Sequence, residues 1–310
     1  MTAVRRALAV LRTPVMFLDQ RRVLDTTVGL RVGRTVEGAV RVADRELDLT
    51  TVGAVYLRNH DATRVPAVRE APLGSGAWRH AREIDDSLTV WSDVTPALVI
   101  SRPSASASNG SKPAQLREIA ACGFAVPETV VSNDPAVIRD FVSAHQRPVY
   151  KSTSGVRSRV RRLEARDFDR LASVTTCPTQ FQEWVPGIDV RVHVVGAEIF
   201  ATRITSTADD YRYATRQGLP RARLDADDIP DDIAVRCQQL AARLCLPVAG
   251  IDLRVTPDAE WFCFEVNPAP AFAYYEAGTG APIASAVAGL ISAAETCACT
   301  DRPAPCSSQG

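Results

Sequence analysis

Three oxygen-bearing side chains, Asp252, Glu265 and Asn267, lie on two short stretches whose alternation brings them together. In Gly250 to Val255, Ile251, Leu253 and Val255 alternate with Asp252 and Arg254. In Trp261 to Asn267, Phe262, Phe264 and Val266 alternate with Cys263, Glu265 and Asn267. A period of two marks both as half-buried strands, and Pro257-Asp258-Ala259-Glu260 between them is a turn signal. With those four residues as the loop, Thr256 pairs with Trp261 and Asp252 falls opposite Glu265. Asn267 follows one pleat further along the same face. Directly opposed Cβ atoms lie about 4.5–5.5 Å apart, where like charges destabilise a sheet. A bound cation removes that penalty, and three oxygen donors without His or thiolate suit a hard ion, magnesium before zinc. The blander reading is the solvated face of a surface hairpin.

The basic residues show a second bias. Of 36 Lys and Arg, only Lys112 and Lys151 are lysines. Lysine is a compact point charge suited to phosphate oxygens. Lys151 opens Lys151-Ser-Thr-Ser-Gly-Val-Arg-Ser-Arg159, a loop of small hydroxylated residues, Ser154 and Gly155 among them, that can turn backbone N–H groups toward an anion. It lacks the GxxxxGK[ST] pattern of a P-loop. Further on, Gln182-Glu183-Trp184-Val185 ends in Pro186-Gly187, exposing backbone groups to an adenine edge. Asp189, just beyond, is placed to accept from ribose hydroxyls or to be an ordinary loop acid.

These groups need a frame. Val15 to Leu18 and Val52 to Leu57 read as short buried strands, Leu30 to Leu49 as a hairpin around Glu37-Gly38, and Trp78 to Leu88 as helix. Ser101 to Ser111 is a Ser/Ala-rich linker. Lys112-Pro113 then opens a helix with Leu116, Ile119 and Ala120 on one face. Phe124 to Val131, Pro148 to Lys151, Gln180 to Val185, Asp189 to Val195 and Glu198 to Ile204 read as strands. Helices follow at Pro135 to Ala144, opened by Asn133 or Asp134, at Ile233 to Leu246, and from about Ala281 to Glu295. Ser206 to Asp232 is polar.

The bulk properties are those of a globular chain: 310 residues, 46% hydrophobic, net charge zero. No basic excess marks a nucleic-acid surface, no apolar run reaches the ~18–20 residues of a membrane span, and Arg5, Arg6 and Arg12 break any secretory signal. The expected location is the cytoplasm. Of eight cysteines, Cys122, Cys177, Cys237, Cys245 and Cys263 read as buried reduced thiols. Cys297, Cys299 and Cys306, with no His nearby, make no zinc site.

Taken in order, these pieces resemble the ATP-grasp superfamily, in the branch of the ribosomal-protein glutamate ligases and graspetide (microviridin-type) peptide ligases. The resemblance covers residues 105 to 290, and more weakly Leu47 to Arg58. The family's two nucleotide-contacting lysines fall on Lys112, ahead of Gly123-Phe-Ala-Val-Pro-Glu-Thr129, and on Lys151. Its adenine hinge falls on Gln182 to Val185, its ribose acid on Asp189, and its metal ligands on Asp252, Glu265 and Asn267. Asp189-Val-Arg191-Val places Arg191 near the phosphates. Asp210-Tyr-Arg212 resembles the family's "D-(W/Y)-R" segment, so Arg203 and Arg212 become candidates for the acyl phosphate or the substrate carboxylate, and Arg254 joins them as a catalytic candidate. Where graspetide ligases often read "N-P-x-G-(Q)-W", this chain reads Asn267-Pro-Ala-Pro-Ala-Phe272, then Tyr274-Tyr-Glu276.

The resemblance implies an α/β (α+β) ATP-grasp fold. An N-terminal α/β domain (1–104) would precede two subdomains (105–180 and 181–295) that sandwich the nucleotide, with residues 296–310 a disordered tail. It implies ATP and Mg2+ as cofactors, two ions, with Mn2+ able to substitute. The reaction would activate a peptide or amino-acid carboxylate as an acyl phosphate and pass it to an amine or hydroxyl. One alternative is a macrocyclase forming side-chain esters or amides on a ribosomal precursor peptide; another is an inactive nucleotide-binding regulator. Relatives of this kind imply a homodimer or homotetramer. No enzyme nucleophile is needed, so His60, His80, His145 and His193 read as structural or surface residues.

Overall fold

The structure, a computed structural model, describes residues 1–58, 60–145, 148–152, 161–208, 211, 214–215 and 218–300. Ser154, Gly155 and Arg212 lie outside the described residues. Two compact units emerge: Met1–Ser104 together with the segment from Ala284 onward, and Ala105–Ile283.

In the first unit, β1 (Thr26–Val32), β2 (Val36–Val42) and β3 (Arg45–Asp48) form an antiparallel sheet in that order. β4 (Ala54–Tyr56) pairs in parallel with β5 (Leu98–Ile100). The first hairpin turns between Val32 and Val36, not at Glu37-Gly38. Gly38 lies inside β2, where an added Cβ would meet the Gly29 carbonyl oxygen at 2.1 Å. That glycine therefore serves a close strand approach rather than a turn. The helix Gly76–Val94, capped by Ser75, buries Ala81, Ile84 and Trp91. Val15 to Leu18 is not a strand: Val15 and Phe17 are exposed, and the Arg5 guanidinium lies over the Phe17 ring. The C-terminal helix runs Ile283–Thr300, past the expected end at Glu295.

The expected linker at 101–111 is instead two short helical turns, Pro103–Ser106 and Ala107–Gly110.

The second unit has two antiparallel sheets. The smaller is ordered β6 (Thr129–Ser132), β9 (Thr179–Gln182), β7 (Val149–Ser152), β8 (Arg161–Arg162). The helix Pro135–Ala144 is capped by Asp134, which accepts from the Ala136 N–H at 2.8 Å, and packs Ile138 and Phe141 with Phe181. β6 begins only at Thr129; Pro127, which has no N–H to give a ladder, interrupts the longer strand expected from Phe124. The larger sheet is ordered β12 (Arg223–Asp227), β11 (Glu198–Thr205), β10 (Ile188–Val195), β13 (Val248–Val255), β14 (Trp261–Asn267). β12 arises from the segment that composition marks only as polar; at a sheet edge, charged side chains are tolerated.

One face of this sheet carries Val190, Val192, Ile251, Leu253 and Val266 into a core with Ile119 of the helix Lys112–Ala121 and with Ile233, Cys237 and Leu240 of the helix Asp231–Arg243. The first of these helices buries Lys112, Gln115 and Ile119, while the expected Ala120 is exposed. Among the cysteines, Cys237 and Cys263 are buried, but Cys177 and Cys245 are exposed, contrary to expectation; these four and half-buried Cys122 are free thiols. Among the described residues, no helix is long and apolar enough to cross a membrane.

The β13–β14 hairpin reaches the expected pairing of Asp252 with Glu265 by a different route. Its loop is one residue shorter: the Thr256 N–H donates to the Glu260 carbonyl at 2.9 Å, Ala259 adopts the left-handed conformation, and Val255, not Thr256, pairs with Trp261. That loop alone would shift the whole ladder by one. A bulge between Asp252 and Leu253 leaves Phe264 over, pairs Leu253 with Cys263, and returns Asp252 to Glu265. The bulge also swaps faces: Cys263 joins Val266 in the core, while Phe264 leaves it.

Candidate active site

Between the two sheets of the second unit lies a cavity lined by Val149 and Lys151 from β7, Gln182 to Val185, Asp189 from β10, and Asp252, Arg254, Phe264 and Glu265 from the hairpin. The candidate hinge, Lys151 and both candidate metal acids thus line one space.

At the hairpin end, protein cations meet both carboxylates. The Lys112 Nζ donates to Glu265 Oε2 at 2.9 Å, and Arg191 Nη1 donates to Asp252 Oδ1 at 2.5 Å. Asn267 Nδ2 reaches Asp252 Oδ2 at 3.3 Å. The repulsion between the two acids is therefore already answered within the chain. Among the described residues, no three His, Cys, Asp or Glu side chains gather as a metal site; the third donor here is an amide. The donor set nonetheless fits a hard cation, being all oxygen and on paired strands.

Positioning comes from neighbours that carry no chemistry. Gln115, one turn after Lys112, accepts from the Val266 N–H and donates to the Val266 carbonyl, both at 2.9 Å. It docks the helix on the outer edge of β14 and aims Lys112 at Glu265. Gly250 leaves room for Arg191, whose Nη2 would lie 2.1 Å from an added Cβ. Neither residue was marked by the sequence, because Gln115 reads as a polar helix surface and Gly250 as an ordinary strand glycine.

The loop in which the chain departs from "N-P-x-G-(Q)-W" contributes Tyr275, on the helix Ala273–Thr279. Its hydroxyl shares a 2.5 Å hydrogen bond with that of Tyr211. Its ring lies 5.6 Å from the Arg191 guanidinium and meets His193 edge-on at 4.9 Å. Burial raises the Tyr211 phenol well above its ordinary value, so it stays protonated and able to donate. His193 is fully buried, and neither ring nitrogen has a hydrogen-bond partner. Desolvation, helped by Arg191, lowers its pKa to about 2. Below pH ~6.5 the unfolded chain takes up a proton that the folded chain refuses, so stability is whole above that pH and declines as pH falls. His193→Leu should flatten that decline by about 1.4 kcal/mol per pH unit between pH ~5.5 and ~4.5, where the unfolded imidazole is almost fully protonated, read from urea unfolding.

Two catalytic candidates sit elsewhere. Arg203 pairs with Val190 in register, so it falls on the face opposite Arg191, and it bonds to Asp227 at 3.2 Å. Arg254 turns to the hinge: it donates to Asp189 Oδ1 and to the Val185 carbonyl, each at 2.7 Å. Of the hinge side chains, Gln182 donates to Thr129 at 2.9 Å and Glu183 accepts from the Glu128 N–H at 3.0 Å, so both brace the smaller sheet.

Residues 110–291 match the RimK-like ATP-grasp domain model, more than half of the chain. The chain belongs to the RimK-like ATP-grasp family. It is therefore an ATP-dependent ligase, with the mixed α/β ATP-grasp fold that the resemblance implied. This ATP-grasp chain is also similar to solved structures over nearly its whole length. The ATP-grasp ligase PsnB, complexed with a minimal precursor, is 26% identical, with a TM-score of 0.77 over 94% of this chain and 95% of PsnB. The macrocyclase MdnC from Microcystis aeruginosa MRC, bound with precursor peptide MdnA, is 23% identical, with a TM-score of 0.79 over 94% of each chain. A RiPP-associated ATP-grasp ligase from Chryseobacterium gregarium, in complex with ADP and a leader and core peptide, is 20% identical, with a TM-score of 0.81 over 97% of this chain and 93% of its own. The last two speak for the fold alone. No curated protein sequence matches this ATP-grasp ligase.

Proposed function

We propose that this ligase is a graspetide-type macrocyclase: it activates a side-chain carboxylate of a ribosomally made precursor peptide and joins it to a hydroxyl or amine of the same peptide. The observation that carries this reading is the extent of the likeness to PsnB. It spans 94% of the chain and so includes the first unit, not only the ATP-grasp domain. A further PsnB structure holds a minimal precursor with Mg and ADP at the same 26% identity.

In this reading, adenine sits against the hinge Gln182 to Val185, and Asp189 accepts from the ribose. Lys151, with Ser154 and Gly155 of its loop, holds phosphate oxygens. Asp252, Glu265 and Asn267 hold magnesium, which supplies charge neutralisation at the phosphates. Lys112 and Arg191, paired with the two acids in the free chain, turn onto the phosphates as the metal–nucleotide complex enters. The acids then face the metal and the two cations face the phosphates, so that each charge keeps a partner. The carboxylate attacks the terminal phosphoryl group, giving an acyl phosphate and ADP. Arg191 and Arg212 stabilise the oxyanion as the peptide hydroxyl or amine displaces phosphate. Positioning and electrostatics supply the catalysis, and no enzyme nucleophile is used.

The test is incubation with Mg·ATP and candidate precursor peptides encoded beside the gene. A macrocyclase releases one ADP for each water lost from the peptide mass. A gain in mass by an added amino acid would instead make the enzyme an amino-acid ligase. ATP left intact with every carboxylate offered would point to the inactive regulator.

A further inference from the structure

Arg254 of β13 directs its hydrogen bonds and one of its ring contacts at the hinge. Arg254 stands opposite Asp189 in the β10–β13 register. Its Nε and Nη2 both lie 2.7 Å from Asp189 Oδ1, and its Nη1 donates to the Val185 carbonyl at 2.7 Å. Its guanidinium packs 4.8 Å from the Trp184 ring centroid and 5.3 Å from that of Phe264. The Arg162 guanidinium of β8 packs on Trp184 as well, at 4.0 Å. The contacts thus run from β8 in the smaller sheet, through Trp184 of the hinge, to Arg254 and Phe264 in the larger one. Phe264 is available to this stack because the bulge pushes it out of the core register. The Pro186-Gly187 turn closes over the same place: a Cβ on Gly187 would meet the Val255 carbonyl oxygen at 2.2 Å and Arg254 Cγ at 3.0 Å. The Arg254 side chain is only 12% exposed.

We infer that Arg254 is a positioning residue that fixes the hinge Trp184–Asp189 to β13, and so sets affinity at the nucleoside end of the cavity rather than serving phosphoryl transfer. The inference rests on the ATP-binding reading above. The physical reason is the planar fork. A guanidinium bonds a carboxylate and a carbonyl in fixed directions while lying flat on aromatic faces, whereas an ammonium does neither. Hydrogen bonds to a charged group each contribute about 1.5–3 kcal/mol. Losing this set lets the hinge drift from the adenine edge without moving Lys112, Lys151 or the hairpin acids.

The experiment compares binding of adenosine, Mg·ADP and Mg·tripolyphosphate to the full chain and to Arg254→Gln and Arg254→Lys, by calorimetry. Both variants should weaken adenosine and Mg·ADP by a similar factor, about tenfold or more, and leave tripolyphosphate binding within about twofold. Arg254→Lys keeps the charge and serves if the glutamine variant does not fold; it should not restore affinity. If tripolyphosphate weakens in parallel, Arg254 acts on phosphates or on the whole site, and the inference is overturned. Unchanged nucleotide affinity overturns it too. A wild-type chain that binds none of the three overturns the ATP-binding reading itself, and this inference with it.

Discussion

Replacing Glu265 by Gln should lower Mg-dependent ADP formation by roughly a thousandfold, because metal-ion stabilisation of a transferring phosphoryl group is worth several kcal/mol. The substitution keeps the shape of the side chain and removes only its charge. Two consequences follow from the geometry. The proposed metal site loses one of its two anionic donors, and Lys112, whose side chain is 8% exposed, loses its counter-charge at 2.9 Å. Leaving a buried donor with a weaker partner costs about 1–3 kcal/mol, reduced here because Glu265 itself is 25% exposed. The variant should therefore remain folded, with a modestly lower unfolding midpoint. Raising magnesium should not restore the rate. If ADP formation and its magnesium dependence survive in Glu265→Gln, the hairpin is not the metal site.

Gly250→Ala should be almost as damaging, although it adds one methyl group and removes no charge. That methyl would sit 2.1 Å from Arg191 Nη2 and 2.7 Å from Pro270 Cβ. One must move, and the guanidinium is the freer end. Arg191 then leaves Asp252 and the face of Tyr275, and an error of about 1 Å in a positioned group can cost roughly a hundredfold in rate. Overpacking adds a stability loss of about 1–3 kcal/mol. Arg191→Ala with Gly250→Ala should be no slower than Arg191→Ala alone, since the glycine acts through the arginine. A Gly250→Ala enzyme of normal activity would show that Arg191 has no defined place in the reaction.

Much of this site was legible because its parts are local and periodic. Two lysines in an arginine-rich chain, a Pro-Gly turn and a short hairpin are patterns within a few residues. The pairing of Asp252 with Glu265 was reached through two errors that cancel. The loop has three residues rather than four, and the bulge adds the missing one. Alternation cannot reveal a bulge, since one extra apolar residue looks the same in either register, so it groups Phe264 with Val266 and Cys263 with Glu265, and the bulge separates both pairs. The family resemblance makes Arg203 and Arg254 catalytic candidates; strand register puts the first on the far face and the second on the hinge. Gln115 and Tyr275 act across long sequence separations, from positions 151 and 64 residues away from their partners. No spacing rule reaches that far. β12 was missed because an edge strand needs no apolar face of its own.

In the proposed reaction Asp252, Glu265 and Asn267 hold a metal only in company with a nucleotide. Electron paramagnetic resonance of Mn2+ tests this most directly. The free chain should bind Mn2+ weakly, since Lys112 and Arg191 already neutralise the acids. Addition of ADP should bring tight binding, and Glu265→Gln should abolish it while still binding adenosine. Tight Mn2+ binding without nucleotide, or equal binding in wild type and Glu265→Gln with ADP present, would remove the hairpin from the proposed nucleotide-linked metal site.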